Sequence, residues 1–548
     1  MVIVLYNLLV IKLIIARMKR YYLLLLAIIQ LGLLVPVNAQ EVIHSLKFSV
    51  SVDEQIRSEF KSTGRLFITL STTKDVEPKD QLWPSSIRRR HYLFAKNFTD
   101  WDASEPLVIE NSESWSAWGS TDRCTLSEIP EDTFYIQLYW RQVFDGCFMG
   151  PMPGNIFSKK VELVMDKNQT LDINLSEVIE ETKLIDHPHM KMVSYQSDTL
   201  SKWWGKPMYE RAAVLLPSEY FDNPGKEYPV FYYIGGGSSD CVRTLHMRWN
   251  RFSDSEWWLS EDAPQVIIVF LDGVKNGNIY HLDSDNLGPH GHSLIHEFIP
   301  YIEKMYRGTD SPETRYIGGC STGGYGSLAQ QLFYPEFYNG VYCYAPDPIF
   351  FGYLMNLNIY SHTNAFFDKF GYPRLIRDYG IDGRPVSWKD WIEFENVLGY
   401  SGTFVDSDHF MGTWASIFSP KGEDGKPIPL IDPMTGDINQ SVRKSWERYD
   451  LELYTERNWT ELGPKLKNKV YICVEANDYW NFNVTVRSYQ SMVSRLNDPV
   501  PDMVFEYSGL GHCGPFNMNF RKIIYNIESN GKPGDMSKIE DKWEWIHW

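Results

Sequence analysis

The segment around Ser321 constrains the fold of this chain more than any other, because strand-like, turn-like and helix-like residues follow one another directly. Residues 314–317 have the pattern of a buried strand, and the helix-like residues 324–331 follow Gly319-Cys-Ser-Thr-Gly323. Glycines two residues either side of the serine leave room for a strained turn. The helix N-terminus beneath such a turn favours developing negative charge. We therefore predict that Ser321 is a nucleophile at a strand-to-helix turn.

Strand-like and helix-like segments alternate from residue 200 to residue 530, the range that we predict to be one catalytic domain. Residues 266–271 form a continuous apolar run, which is typical of a strand covered on both faces. Residues 293–307 carry an apolar stripe at helical spacing. Such alternation predicts an α/β fold with a parallel-rich sheet and helices on both faces. Between 348 and 465 the alternation lapses into an aromatic, Gly/Pro-rich stretch, which predicts a cap inserted over the site.

The N-terminal part of the chain has a different pattern of apolar and polar residues. Residues 40–185 contain short segments in which apolar and polar residues alternate, and this pattern predicts a β-sandwich domain. Residues 531–548 are predicted to be a C-terminal tail.

The first 39 residues have the features of a secretory signal peptide. Basic Lys19 and Arg20 precede an apolar run at residues 23–35, and a small-residue cleavage site ends at Ala39. We expect cleavage there and a secreted or periplasmic protein. The rival interpretation is a retained membrane anchor, since the whole stretch is long enough to span a bilayer.

Charge and cysteine content narrow the class of protein. The formal net charge of −17 argues against a nucleic-acid partner, because a phosphate backbone requires a basic face. No membrane partner is expected after signal cleavage, and the oligomeric state is not indicated. Seven cysteines fit an oxidising compartment, and Cys124 lies close enough in sequence to Cys147 for a disulfide bond.

A nucleophilic serine needs a base, and the base needs an acid to orient it. When a serine turn of this kind begins a triad, the acid and then the histidine follow it along the chain. His512 follows the last predicted strand of the domain, and we select it as the base. The other downstream histidines fall in the predicted cap or in the tail: His362, His409 and His547.

Three carboxyl groups compete for the role of the acid. Asp478 ends the strand before His512 and ranks first, Asp347 ends the preceding strand and ranks second, and Glu475 ranks third. The turn at Gly236 and Gly237 follows an early core strand, where a backbone N–H can help to hold an oxyanion.

The N–H of Thr322 is the second predicted oxyanion donor.

No cofactor or metal is predicted. His290, His292 and His296 cluster at a helix start but lack a fourth ligand nearby, and a structural role is favoured. The loop that begins at Asp432 lacks EF-hand spacing and is predicted to be a turn.

The run of residues from Pro229 through 266–273 and 297–303 to the serine turn resembles the esterase D/enterochelin esterase-like family. The resemblance covers about residues 205–347 and 465–530. It implies an α/β-hydrolase fold and carboxylic ester substrates.

A narrower resemblance concerns the residues next to the serine and histidine. Gly319-Cys-Ser-Thr-Gly-Gly324 and Gly511-His-Cys513 are similar to the tannase and fungal feruloyl esterase family. That resemblance implies a disulfide bond between Cys320 and Cys513, which would preorganise the two loops.

These features together predict a secreted serine esterase whose substrate is a small-molecule or carbohydrate-linked ester, such as an acetyl or feruloyl ester of a plant polysaccharide. Two alternatives stay open. One is a peptidase or acyltransferase that uses the same triad, and the other is a non-catalytic carbohydrate-binding protein.

Overall fold

The computed structural model describes residues 46–538 except for several short segments: 82–90, 111–114, 119–125, 127–128, 130–131, 145–151, 238–239, 252–253 and 378–384. The predicted signal peptide of residues 1–39, the cysteines Cys124 and Cys147, and His547 lie outside the described residues. Within the described ranges, no helix is both long and apolar enough to cross a bilayer.

The N-terminal domain is built from nine strands in the order β4-β1-β9-β7-β6-β2-β3-β5, with β8 paired to β6. Their bounds are Leu46–Val52 (β1), Gly64–Ser71 (β2), Tyr92–Phe98 (β3), Leu107–Ile109 (β4), Ser116–Trp118 (β5), Thr133–Arg141 (β6), Ile156–Ser158 (β7), Val161–Val164 (β8) and Gln169–Val178 (β9). β1 and β9 are parallel, and the other pairs are antiparallel. The N-terminal β region that the β-sandwich prediction required is present, and the pairing of β7 with β9 joins its strands into one hydrogen-bonded sheet.

Alternation along these strands explains the core of this domain. Side chains from one face, such as Phe48, Ile68 and Trp140, pack into one hydrophobic cluster. The opposite face of β2 is also buried, because Phe67 packs against Phe394 and Leu398 of the catalytic domain. The N-terminal domain therefore rests on the insertion that we predicted to be a cap.

The catalytic domain contains an eight-stranded sheet in the order β10-β11-β13-β12-β16-β17-β20-β21. Its strands are Met190–Ser197 (β10), Met208–Leu215 (β11), Val230–Ile234 (β12), Ile267–Asp272 (β13), Arg315–Cys320 (β16), Gly340–Tyr344 (β17), Val470–Glu475 (β20) and Val504–Ser508 (β21). β10 and β11 are antiparallel to their neighbours, and the remaining pairs are parallel. Every residue of β12, β13, β16, β17 and β20 is buried, as expected for strands with helices on both faces.

Helices join and cover these strands. They are Asp198–Trp204 (α1), Cys241–His246 (α2), Asp254–Trp258 (α3), His290–Ser293 (α4), Ile299–Tyr306 (α5), Thr322–Phe333 (α6), Trp388–Leu398 (α7), Phe410–Phe418 (α8), Gln440–Trp446 (α9), Leu451–Leu462 (α10), Phe482–Val493 (α11) and Gly514–Glu528 (α12). Two short hairpins pair Asp283–Ser284 (β14) with Gly288–Pro289 (β15) and Leu375–Arg377 (β18) with Val386–Ser387 (β19). This strand order and its helical cover confirm the predicted α/β-hydrolase architecture.

The insertion between β17 and β20 contains α7 to α10 and contacts both other parts of the molecule. Its helix α8 is tied to the β14–β15 hairpin, because Asn286 Nδ2 donates hydrogen bonds to Ser416 O at 3.1 Å and to Ser419 O at 2.7 Å. Asn286 thus links the insertion to this hairpin.

Candidate active site

Ser321 lies between the end of β16 and the start of α6, in a backbone conformation that non-glycine residues rarely adopt. Its φ is 59° and its ψ is −124°. The backbone N–H of Ser321 donates to Tyr344 O on the neighbouring strand β17. The surrounding structure therefore stabilises a strained turn that presents the side chain at the carboxyl edge of the sheet.

The glycines around this turn are required by close backbone contacts. A Cβ added at Gly323 would lie 2.0 Å from Ile234 O, and one at Gly319 would lie 2.4 Å from the same oxygen. A Cβ on Gly236 would lie 3.0 Å from Cys320 O and 3.6 Å from the Cβ of Ser321. The turn after β12 thus packs directly against Ser321.

The three predicted oxyanion residues surround this contact. Gly236 touches the serine turn, and the next residue, Gly237, has a φ of 56°. Thr322 is the first residue of α6 and is buried. Backbone N–H groups from a glycine turn and a helix start are the donors that stabilise an oxyanion.

His512 and Asp478 are joined by a hydrogen bond of 2.6 Å between Nδ1 and Oδ2. Asp478 also accepts a hydrogen bond from the backbone N–H of Trp480 at 2.8 Å. Burial opposes ionisation of Asp478, but the hydrogen bond and the charge of His512 outweigh it, so the pKa of Asp478 lies below its usual value. The arrangement holds an ionised carboxylate against one ring nitrogen of the histidine.

Glu475, the third-ranked carboxyl group, lies beside this pair. Glu475 is buried, and burial is the main cause that raises its pKa. The adjacent Asp478 raises this pKa further. One ligand atom from each of Glu475, Asp478 and His512 lies within 4.8 Å of the others, so the three could offer metal ligands. The 2.6 Å contact is nevertheless the length of a hydrogen bond, and it occupies the atoms of Asp478 and His512 with each other.

Asp347, the second-ranked carboxyl group, lies beside the serine instead of the histidine. Ser321 Oγ is 3.3 Å from Asp347 Oδ1, and Thr322 Oγ1 donates to Oδ2 at 3.1 Å. The hydroxyl of Tyr280 donates to the same carboxylate, and Trp414 Nε1 donates to Tyr280 at 2.7 Å. Burial raises the pKa of Asp347 to about 6, although these hydrogen bonds and the charge of His512 act against the rise.

A disulfide bond between Cys320 and Cys513 links the residue before the serine to the residue after the histidine. The two Cα atoms are 5.8 Å apart although 193 positions separate them in sequence. This is the pairing that the narrower resemblance implies. It ties the serine turn to the histidine loop covalently.

Aromatic residues of the insertion contact the loop that carries Asp478. The ring of Trp480 lies 5.7 Å from that of Trp391 and stacks on Phe410 at 6.4 Å. Arg377 lies over the Trp480 ring at 4.5 Å. Sequence reasoning did not single out Tyr280 or Trp480, because neither carries a motif and both act through contacts made only in the folded chain.

The other candidate histidines lie in different surroundings. His409 Nδ1 lies 3.0 Å from Glu395 Oε1 inside the insertion, and His362 accepts a hydrogen bond from Asn358 N. His290 is buried, with Nδ1 3.5 Å from Glu210 Oε1.

The remaining sequence features are local turns and ring contacts. The rings of His292 and His296 lie 4.3 Å apart. The Asp432 carboxylate accepts hydrogen bonds from Met434 N and Thr435 N, which is the geometry of a turn.

The strand order and the strained serine turn define an α/β-hydrolase domain. The model of the family described as "Putative esterase" matches residues 209–369. The resemblance to this esterase family that the sequence indicates is thereby confirmed for that segment.

Part of this chain is similar in sequence to known proteins. Esterase Rv1288 of Mycobacterium tuberculosis is 33% identical over 118 residues, which are 21% of this chain and 24% of that protein. The chain thus spans about a quarter of the length of the curated relatives it matches.

Solved structures show further likenesses. The chain is similar to a ferulic acid esterase at 17% identity, with 62% of this chain and 98% of that one covered and a TM-score of 0.38. It is also similar to an S-formylglutathione hydrolase from Agrobacterium tumefaciens at 14% identity, with 62% and 95% covered and a TM-score of 0.34.

Proposed function

We propose that the protein is a serine hydrolase of carboxylic esters, with Ser321, His512 and Asp478 as its catalytic triad. The observation that carries this proposal is that a disulfide bond and a hydrogen bond link the residues of the site. A strained serine turn is joined by the Cys320–Cys513 bond to a histidine whose Nδ1 is bound to Asp478. The match of residues 209–369 to an esterase family supports the same reaction class.

In the proposed mechanism, Ser321 Oγ attacks the ester carbonyl carbon while His512 Nε2 takes the hydroxyl proton. Asp478 holds the Nδ1–H and stabilises the imidazolium that forms. The N–H groups of Thr322 and of Gly236 or Gly237 donate to the oxyanion. His512 then protonates the leaving alcohol. Water next attacks the acyl-enzyme carbonyl while His512 takes its proton, and His512 returns that proton to Ser321 Oγ as the carboxylic acid leaves.

The proposed substrate is an acetyl or feruloyl ester of a plant polysaccharide, and the proposed location is secreted or periplasmic. The signal-like sequence and the Cys320–Cys513 bond support an oxidising location. The ring of Tyr479, which lies 5.3 Å from that of His512 and is 38% exposed, supports an acyl group with apolar surface.

Hydrolysis of 4-nitrophenyl acetate by wild type and by Ser321→Ala tests the reaction class. Ser327→Ala is the matched control, because Ser327 lies on the same helix α6 and its hydroxyl bonds to Gly324 O. We expect Ser321→Ala to lose at least about 10³-fold in kcat/KM. Equal rates in wild type and Ser321→Ala would refute the mechanism.

Product analysis separates the alternatives. Release of acetate or ferulate from esterified xylan into water supports the proposed substrate. Cleavage of peptides without ester hydrolysis would favour a peptidase, and preferential transfer of the acyl group to an added alcohol would favour an acyltransferase.

A further inference from the structure

A cavity of about 700 Å³ lies where the N-terminal domain, the edge of the catalytic sheet and the insertion meet. Phe144 lines it from the N-terminal domain, and Thr413 and Ser416 line it from α8. The sheet edge contributes residues from β10, β11 and the loop that follows β13. All three parts of the molecule are therefore needed to form this cavity.

Aromatic rings line the cavity and remain open to solvent. Trp204 is 37% exposed, Tyr209 is 46% exposed, and Phe144 is 37% exposed. The edge of Trp204 is anchored by a hydrogen bond from Nε1 to Leu287 O at 3.0 Å, so the ring is held in a defined place. Large rings that are fixed and exposed at a concave surface are typical of a binding site.

The charged side chains of the cavity largely neutralise one another. Glu181 Oε1 lies 2.8 Å from Arg211 NH2 and 2.8 Å from Lys275 Nζ, and Arg211 also faces Asp272 at 3.9 Å. Asp408 pairs with Arg141, and Lys206 Nζ lies 5.6 Å from the centroid of the Trp204 ring, so the ion pairs leave the lining with little net charge. Such a lining favours an uncharged ligand with both hydroxyl groups and apolar faces.

The cavity opens on the same edge of the sheet as Ser321. Arg211 pairs in register with Asp272 at the carboxyl end of β13, and Ser321 follows the carboxyl end of β16. Three strand spacings separate β11 from β16, which amounts to roughly 15 Å. A polymer with its ester at Ser321 could therefore extend along this edge to the cavity.

We infer that this cavity is a binding site for a neutral oligosaccharide, remote from the reacting ester. The apolar face of a pyranose ring would stack on Trp204 and Tyr209, while its hydroxyl groups would reach the ion-paired Glu181, Arg211 and Lys275. The inference rests on the proposed function in that the sugar is the chain that carries the ester. The site would select polymeric substrates over small esters.

Binding is measured with acyl-free xylohexaose and cellohexaose by isothermal titration calorimetry, with the full chain carrying Ser321→Ala. We expect at least one of the two sugars to bind. Adding Trp204→Ala or Tyr209→Ala should weaken that binding about five- to tenfold. The matched control is Phe221→Ala, an exposed aromatic residue that follows β11 at the opposite edge of the sheet.

The Trp204→Ala and Tyr209→Ala changes are also made in the active enzyme, where kcat/KM for 4-nitrophenyl acetate should be unchanged. Melting temperatures exclude misfolding, and Trp204→Phe and Tyr209→Phe should retain most of the binding. Absence of binding by both sugars, or binding that neither alanine variant weakens, overturns the inference. Failure of the proposed function would appear separately, as a loss of ester hydrolysis by the unmodified protein.

Discussion

Ser321 Oγ lies 3.3 Å from Asp347 Oδ1, so the candidate nucleophile contacts one carboxyl group while the candidate base contacts another. Asp347 belongs to a hydrogen-bond chain that begins at Trp414 of the insertion and passes through Tyr280. This chain couples the position of helix α8 to the orientation of the serine hydroxyl.

The two carboxyl groups should differ in their effect on catalysis. Asp478→Asn removes the partner that orients His512, and we expect kcat to fall by roughly 10³–10⁴-fold. Asp347→Asn replaces one acceptor oxygen by an NH2 donor and removes one buried charge, so Ser321, Thr322 and Tyr280 can no longer all donate to this group, and we expect a fall of about tenfold. Steady-state hydrolysis of 4-nitrophenyl acetate measures both. A larger loss for Asp347→Asn than for Asp478→Asn would transfer the role of the acid to Asp347.

The Cys320–Cys513 bond should stabilise the fold and the site together. It closes a long loop, so the double variant Cys320→Ser/Cys513→Ser should lose roughly 2–5 kcal/mol of unfolding free energy. We also expect a lower kcat, because the serine turn and the histidine loop are no longer tied. Urea unfolding and ester hydrolysis, each with and without reductant, provide the measurement. Reductant should affect the wild type more than the double variant, in which only the predicted Cys124–Cys147 pair could still respond; an equal response of the two proteins would contradict a role for the Cys320–Cys513 bond.

The tight contact at the serine turn makes Gly323 intolerant of any side chain. Gly323→Ala would place its Cβ 2.0 Å from Ile234 O, and neither backbone can retreat without disrupting β12 or α6. We expect loss of soluble protein or a melting temperature lower by several degrees, with no measurable ester hydrolysis. Gly225→Ala is the control, since its Cβ would meet no atom within 4 Å. Normal activity of Gly323→Ala would disprove the turn geometry.

Buried Glu452 should make stability depend on pH. Burial, with a contribution from Asp450, raises the pKa of Glu452 to about 7, although the hydrogen bond from Ser488 opposes the rise. The folded state therefore binds the proton more tightly than the unfolded state, in which the pKa is about 4.3. This contribution to stability is fully present below about pH 4.3 and is lost as the pH rises through 7.

Thermal melts at pH 5 and pH 8 test this dependence. We expect the melting temperature of the wild type to be lower at pH 8 than at pH 5, and we expect this difference to be smaller in Glu452→Gln. Glu461→Gln, at an exposed position of the same helix α10, should keep the wild-type difference. Identical pH dependence in Glu452→Gln and the wild type would rule out this proton linkage.

The contact between the N-terminal domain and the insertion depends on buried Arg141. Its guanidinium group forms an ion pair with Asp408 and donates to Ser407 O at 3.3 Å. The Asp408 side chain is 27% exposed, so we expect Arg141→Ala to lower the free energy of unfolding by about 3 kcal/mol, the lower end for a broken buried ion pair. Lys47→Ala, which removes an exposed pair with Glu110, should cost less than about 1 kcal/mol. Equal midpoints of urea unfolding for the two variants would contradict this account.

Local chemistry made much of the site predictable from the sequence. The strand, glycine turn and helix around Ser321 are adjacent in the chain, and the steric reason for each glycine acts over a few bonds. The buried parallel strands were predictable for a similar reason, because residues such as those at 266–271 must be apolar on both faces.

Other features were decided by contacts that no local pattern encodes. The sequence by itself determined that Asp347, Glu475 and Asp478 lie at or just after the ends of core strands, but their partners depend on which strand ends meet in space. Only the tertiary structure placed Asp478 against His512, Asp347 against Ser321 and Glu475 beside the pair. The same holds for the cavity beside Trp204, because its walls come from three parts of the chain that meet only when the folded domains pack together.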